Sequence, residues 1–206
     1  MMDPNVVGDL AQLETLYGKP VQRSLDKEID HLNAHYRAFL EAAPFVALAS
    51  SGPDGLDVSP RGDSAGFVSV RDEKTLLLPD RRGNNRIDTL RNIVADPRVA
   101  LLFLVPGIGE TLRVNGRASV SVDPALLARF AVDNKMPKTV LVVSIERVYF
   151  QCSRAIVRAD LWNPDKRLQR GALPTAGQIL EALSPDPFDG RAYDAELPAR
   201  VATSLY

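Results

Sequence analysis

TLRVNGRASVSV, residues 111–122, is the stretch on which the reading of the chain turns. Leu112, Val114, Gly116, Ala118, Val120 and Val122 alternate without exception with Thr111, Arg113, Asn115, Arg117, Ser119 and Ser121. Successive side chains of a strand point to opposite faces, so this is a strand with one dry face and one polar face. Downstream, Asp123 and Pro124 open a short helix over 124–132. TVLVVSIERVYFQC (139–152) then reads as a long strand with apolar residues on both faces. It is either central or carries a subunit interface on its outer side. Upstream, RVALLFLV (98–105) is a nearly continuous apolar run, as expected of a strand buried on both faces. Before it, Ile87, Leu90 and Ile93/Val94 recur at helical spacing over 84–95, and Asp96-Pro97 closes that helix. FVALASS (45–51) and the segments near 56–60, 66–70 and 75–79 are further strands, punctuated by the turn Gly52-Pro53-Asp54-Gly55 and the charged turn 71–74. Ahead of them a helix is predicted over 24–43. Ser24 is its N-cap, Leu25, Ile29, Leu32, Tyr36, Phe39 and Leu40 form one stripe, and Pro44 ends it.

Many short strands joined by turns, with few helices between them, point to an antiparallel β-barrel rather than a doubly wound parallel sheet. The fold class is therefore α+β, mainly β. The last forty residues change character: Pro164, Pro174, Pro185, Pro187 and Pro198 interrupt two weaker helical patterns near 175–183 and 191–203. We read residues 1–165 as the barrel with N-terminal helices. Residues 166–206 form a helical appendage lying on the barrel or reaching across to a second subunit.

Composition narrows the function classes. The 206 residues are 45% hydrophobic and 25% charged, enough to bury a core. Lys+Arg is 25 against Asp+Glu 26, without the basic excess of a nucleic-acid binder. No apolar run is long enough to span a membrane. MMDPNVVGDL lacks the basic and apolar regions of a secretory leader, so a cytoplasmic location is expected. The single cysteine, Cys152, permits no internal disulfide and reads as a small buried hydrophobe rather than a nucleophile. His31 and His35 stand four apart on the first predicted helix, a spacing that can chelate a metal, but they lie off its apolar stripe and read as solvated. A P-loop is absent, and the Gly-x-Gly of PGIGET lacks the third glycine of a dinucleotide fingerprint.

LLLPDRRGNNRIDTL (76–90) is the most informative motif. A strand ends at Pro79, a glycine-containing turn follows, and a helix is predicted to start at Asn84 or Asn85, ringed by Arg81, Arg82 and Arg86. Helix N-termini already carry partial positive charge and unpaired N–H donors, so arginines there are disfavoured unless an anion sits among them. A phosphate would satisfy both the amides and the guanidinium forks. The alternative is a solvated basic turn neutralised by Asp80 and Asp88. SPRGDSAGF (59–67) is the second unusual piece: Gly62 and Gly66 in a strand-rich region suit a bulge or a close backbone approach to a ligand, with Arg61 beside them.

In this order SPRGDSAGF, LLLPDRRGNNRIDTLRNI, DPRVALLFLVPG, GETLRVNGRA, YFQCSRA and LW resemble the FMN-binding split-barrel flavoproteins related to pyridoxamine 5′-phosphate oxidase, closest to a bacterial subgroup of unassigned substrate. The likeness runs from about residue 8 to 168. It implies an antiparallel split β-barrel of the FMN-binding type and a homodimer with FMN at the subunit interface. Arg81, Arg82, Asn84, Asn85 and Arg86 would then hold the FMN phosphate, with Asp80 beside them in the cofactor site. Arg61 and Gly62 match the strand running beside the flavin. Thr111 and Arg113 would face the cofactor or the partner subunit, and Gln151 and Arg154 match a region that reaches the flavin from one subunit or the other. Asn-Asn-Arg stands where the true oxidase has a Ser-Arg-Lys phosphate triplet, and LWNPDKRLQRG lacks that enzyme's arginine-bearing substrate motif. The implied activity is thus FMN-dependent oxidation or reduction of a small molecule rather than pyridoxine phosphate oxidation. The alternatives within the fold are a non-catalytic module that stores or senses flavin, or a deazaflavin or haem in place of FMN. A flavin carries its own redox chemistry, so no catalytic side chain is named.

Overall fold

The computed structural model describes residue 3 and residues 5–206. Seven strands form one sheet: β1 (Phe45–Gly52), β2 (Gly55–Gly62), β3 (Ser69–Asp72), β4 (Thr75–Pro79), β5 (Arg98–Leu104), β6 (Thr111–Ser121) and β7 (Val140–Gln151). Their order is β2-β1-β5-β6-β7-β4-β3, and the neighbours pair antiparallel. Pro53-Asp54 is the two-residue tip of the β1–β2 hairpin, with Gly52 opposite Gly55.

The alternation in 111–122 governs β6. Leu112, Val114, Gly116 and Ala118 are buried, while Arg117 and Ser119 are exposed. The register shifts between Asn115 and Gly116. A Cβ on Gly116 would lie 2.0 Å from the Ser144 carbonyl oxygen, so only glycine allows the two backbones this close. Such a bulge bends its strand and increases the twist.

Register also shows that the sheet curls. Arg61 on β2 stands level with Val46, Phe103, Leu112 and Phe150. Asp80 follows Pro79, which stands level with Val140 and Ser121. On a flat sheet these rows would lie roughly 30 Å apart along β6. Yet Arg61 Nη1 donates to Asp80 Oδ1 at 2.5 Å. The stagger of a tilted barrel brings the rows together. No β2–β3 pairing closes the sheet, so the barrel is split. Leu48, Phe103, Val114, Leu76, Val143 and Val148 fill its interior.

The helices are α1 (Leu10–Tyr17), α2 (Gln22–Asp26), α3 (Ala34–Ala42), α4 (Asp88–Ala95), α5 (Pro124–Arg129), α6 (Arg154–Ala159), α7 (Ala176–Leu183) and α8 (Gly190–Ser204), of which α3 and α4 pack on the strands and α7 packs on α8. The single helix expected over 24–43 is broken. Ile29 exchanges both backbone hydrogen bonds with Val148 of β7, and the Asn33 side chain accepts from Tyr36 N at 2.9 Å, so α3 starts afresh there. A bridge to the sheet plus a strong cap outcompete helix continuation. Most of the expected stripe survives across the break, since Leu32 and Leu40 are buried and Ile29, Tyr36 and Phe39 pack on the core. Leu25 is exposed instead. His31 and His35 therefore do not share a helix.

α4 begins at Asp88, later than the expected Asn84 or Asn85, because Asn85 has φ 59, which a right-handed helix cannot include. Both long strands are less dry than predicted. In β5, Val99, Leu101 and Phe103 are buried but the opposite face is only half covered. In β7 the outer face turns polar after Ser144. Cys152 is exposed, because β7 ends at Gln151 and the cysteine stands beyond the packed strand.

Candidate functional site

β4 leaves the sheet at Pro79 and enters the loop 80–87, which sequence reasoning singled out. The loop forms one bank of a cleft of ≈ 1160 Å³. The segment 135–139, between α5 and β7, forms the other bank, and the end of β2 forms the floor. Arg61, Gly62, Asp80, Arg81, Arg82, Asn84, Asn85 and Arg86 all line this one cleft. The arginine-loop residues and Arg61, which stands between Pro60 and Gly62, thus line the same cleft.

Charge here is one-sided. Arg61, Arg81, Arg82, Arg86, Lys135 and Lys138 face a single lining carboxylate, Asp80. Low-dielectric walls focus such a field and favour an anion in the cleft. The arginines are held differently. Arg61 is clamped by Asp80, each side chain about a fifth exposed. Arg81 donates Nε to Asp63 Oδ2 at 2.7 Å and Nη1 to the Phe130 carbonyl at 2.6 Å. Arg86 is largely exposed and reaches Asp88 at 2.5 Å, which holds its guanidinium above its ordinary pKa. Asn84 Oδ1 accepts from the Arg86 backbone N–H, and Lys138 Nζ approaches Asn85 Oδ1 at 3.4 Å. Arg82 is exposed and makes no hydrogen bond to another described residue.

The Asp63 side chain is only 5% exposed. Burial pushes its pKa up. The Tyr206 hydroxyl, the Ser64 amide and Arg81 together outweigh that and hold the carboxyl below its usual range. Tyr206 Oη donates to Asp63 Oδ1 at 2.7 Å, and the Arg81 guanidinium lies 5.3 Å from the Tyr206 ring centroid, within cation–π range.

Two buried side-chain polar atoms among the described residues lack a partner, Arg61 Nε and Thr139 Oγ1. Both residues line this cleft. An unpaired buried donor costs about 1–3 kcal/mol, so two at one place mark where a ligand's acceptors would sit. Sequence reasoning missed Thr139, Lys135, Lys138 and Tyr206. The first three follow α5 in a turn whose Asp133 and Asn134 both have positive φ, and only the fold brings that turn to the arginine loop.

Four expected site residues lie elsewhere in the single chain. Thr111 pairs with Gln151 where β6 begins and β7 ends. Arg113 Nη1 donates to Tyr149 Oη at 2.8 Å, and Arg154 is exposed at the start of α6. The described residues hold no group of three metal-ligating side chains, and His31 pairs with Asp30 at 2.9 Å away from the cleft.

The family model for pyridoxamine 5′-phosphate oxidase matches residues 32–152. No curated protein matches the chain. Solved structures that resemble it include HupZ of Group A Streptococcus, at 15% identity and TM-score 0.49, covering 59% of this chain and 95% of that one. A Clostridium acetobutylicum protein related to general stress protein 26 of Bacillus subtilis matches at 15% identity and TM-score 0.44, over 57% of this chain and 86% of that one. General stress protein 26 of Bacillus anthracis matches at 17% identity and TM-score 0.40, over 55% and 88%. The family match spans more than half of the chain, from the residue before the Asn33 cap to the turn beyond β7, and the chain belongs to the pyridoxamine 5′-phosphate oxidase family.

Proposed function

We propose that the cleft binds FMN and that the protein is an FMN-dependent oxidoreductase acting on a small molecule. The observation that carries this reading is the coincidence of the two orphaned buried atoms, Arg61 Nε and Thr139 Oγ1, with the cationic lining of one cleft. A planar cofactor rich in acceptors and ending in a phosphate answers both. Membership of a family whose members often bind flavin supports the same reading.

In this assignment Arg82 and Arg86, on a loop of exposed backbone, hold the phosphate through charge-assisted hydrogen bonds. Arg61 and Thr139 donate to acceptors deeper in the cleft. Asp80 keeps Arg61 in place and offsets part of the cationic field. When bound, the flavin supplies the acceptor for a hydride or an electron pair, and the protein's part is binding, orientation and exclusion of water.

The likeness to the family further supports a homodimer with the flavin between subunits. Leu56, Val58 and Phe45, on the outer face of β2 and β1, are 88%, 66% and 38% exposed, an apolar patch of the sort that marks an interface. Thr111, Arg113, Gln151 and Arg154 would then act from whichever subunit brings them to the flavin. Among the described residues no helix is long and apolar enough to cross a membrane.

An absorbance spectrum of the purified protein before and after adding FMN tests the reading. Flavin bands at a stoichiometry approaching one per chain are expected, with loss of signal in Arg82→Ala. A protein that neither retains nor binds FMN overturns it. Turnover with NADH or NADPH and an acceptor separates an oxidoreductase from a module that only holds flavin.

A further inference from the structure

Tyr206 lies 143 positions from Asp63 in sequence, yet it is a wall of the cleft. We propose that Tyr206 is a positioning residue for Arg81, so that docking of the segment beyond α8 and binding of an anionic ligand are coupled. The inference rests on the flavin reading for its natural ligand, but its geometry concerns any phosphate-bearing group.

Arg81 is built as a fixed donor. Asp63 takes its Nε, the Phe130 carbonyl takes Nη1, and the Tyr206 ring covers it. A guanidinium has five N–H donors, so these partners orient it without exhausting it. Asp63 is itself held by three groups, the Ser64 amide at 2.7 Å, Arg81 at 2.7 Å and Tyr206 at 2.7 Å. Of the three, only Tyr206 comes from outside the barrel. Without it, Asp63 loses a donor and Arg81 loses its aromatic cover, and both side chains regain rotamers that ligand binding must then remove.

The tyrosine does not block the site. With Tyr206 docked the cleft still measures ≈ 1160 Å³, above the usual range of small-molecule pockets, so segment and ligand can be present together. Coupling between two binding events is reciprocal. An anion ordered by Arg81 therefore stabilises the docked segment, and the docked segment tightens the anion.

The test uses the full chain as wild type, Tyr206→Phe and Tyr206→Ala. FMN and, in parallel, inorganic pyrophosphate are titrated, with flavin fluorescence and thermal stabilisation as readouts. Trypsin cleavage at Arg200 is followed with and without each ligand. Expected is about a tenfold weaker midpoint for Tyr206→Ala with both ligands, a smaller loss of about threefold for Tyr206→Phe, which keeps the ring, and ligand-dependent protection of Arg200 in wild type only. Unchanged FMN and pyrophosphate midpoints in Tyr206→Ala overturn the proposal and leave the flavin reading standing. Pyrophosphate binding that depends on Tyr206, with no FMN binding by wild type, does the reverse. A wild type that binds neither ligand overturns both.

Discussion

Arg61 and Asp80 form an ion pair between side chains about a fifth exposed. Breaking one side of such a pair strands the other, so Asp80→Asn should cost about 1–3 kcal/mol of stability by urea titration. Arg82 is solvated and free of hydrogen bonds to described residues, so Arg82→Ala should leave stability unchanged and weaken FMN binding by about 1.5–3 kcal/mol, read from the titration midpoint. The Asp63–Tyr206 contact has a pH window. Asp63 is held below its ordinary value, so its contribution is full above about pH 4 and is lost as pH falls through the folded value. The Tyr206 phenol is raised, first by its bond to Asp63 and then by burial and the Asp63 charge, with Asp133 adding and Arg81 opposing. Its contribution is present below about pH 10 and is lost as pH rises beyond. Wild type minus Tyr206→Phe should therefore show one tyrosinate titrating above the others, and a thermal-stability difference confined between those limits.

At the scale of elements, the strands were legible in the sequence and the helix ends were not. Period-two alternation in 111–122 depends only on which face is wet, and β6 obeys it. The 24–43 helix looked continuous because its stripe is continuous, but Ile29 is claimed by a backbone bridge to Val148, a tertiary bond that no local pattern records. The arginine loop is legible from its residues alone, whereas Thr139 and the lysines opposite belong to the cleft only because the fold sets them across it. Two element-level substitutions follow. Asn33→Ala removes the cap that starts α3 and should cost about 1 kcal/mol in chemical denaturation. Gly116→Ala drives a methyl into the Ser144 carbonyl and should cost about 3 kcal/mol or abolish soluble expression, since backbone on both sides leaves little room to yield.

At the scale of the whole molecule, the sheet is held at its split by side chains rather than by a ladder. β2 ends its pairing at β1, and the ion pairs Arg61–Asp80 and Arg81–Asp63 tie the two ends across the gap. Amides on the unpaired edge of β2 should exchange with solvent faster than those of β6, and faster still in Asp80→Asn, as hydrogen–deuterium exchange would show. Exposure of Leu56 and Val58 on the same strand predicts that Val58→Asp halves the mass of a dimer in light scattering, leaving a 22.5 kDa species. A monomer already in wild type would overturn the interface assignment.

The contact between Asp63 and Tyr206 also sets a clock for the newborn chain. The ribosome makes the barrel first, and at about 5–20 residues per second the stretch from the end of β7 at Gln151 to Tyr206 takes on the order of 3–11 seconds to add. During that interval the arginine loop and Asp63 exist without the tyrosine that covers them. A nascent chain arrested before residue 206 should therefore carry a folded barrel with an unfinished cleft.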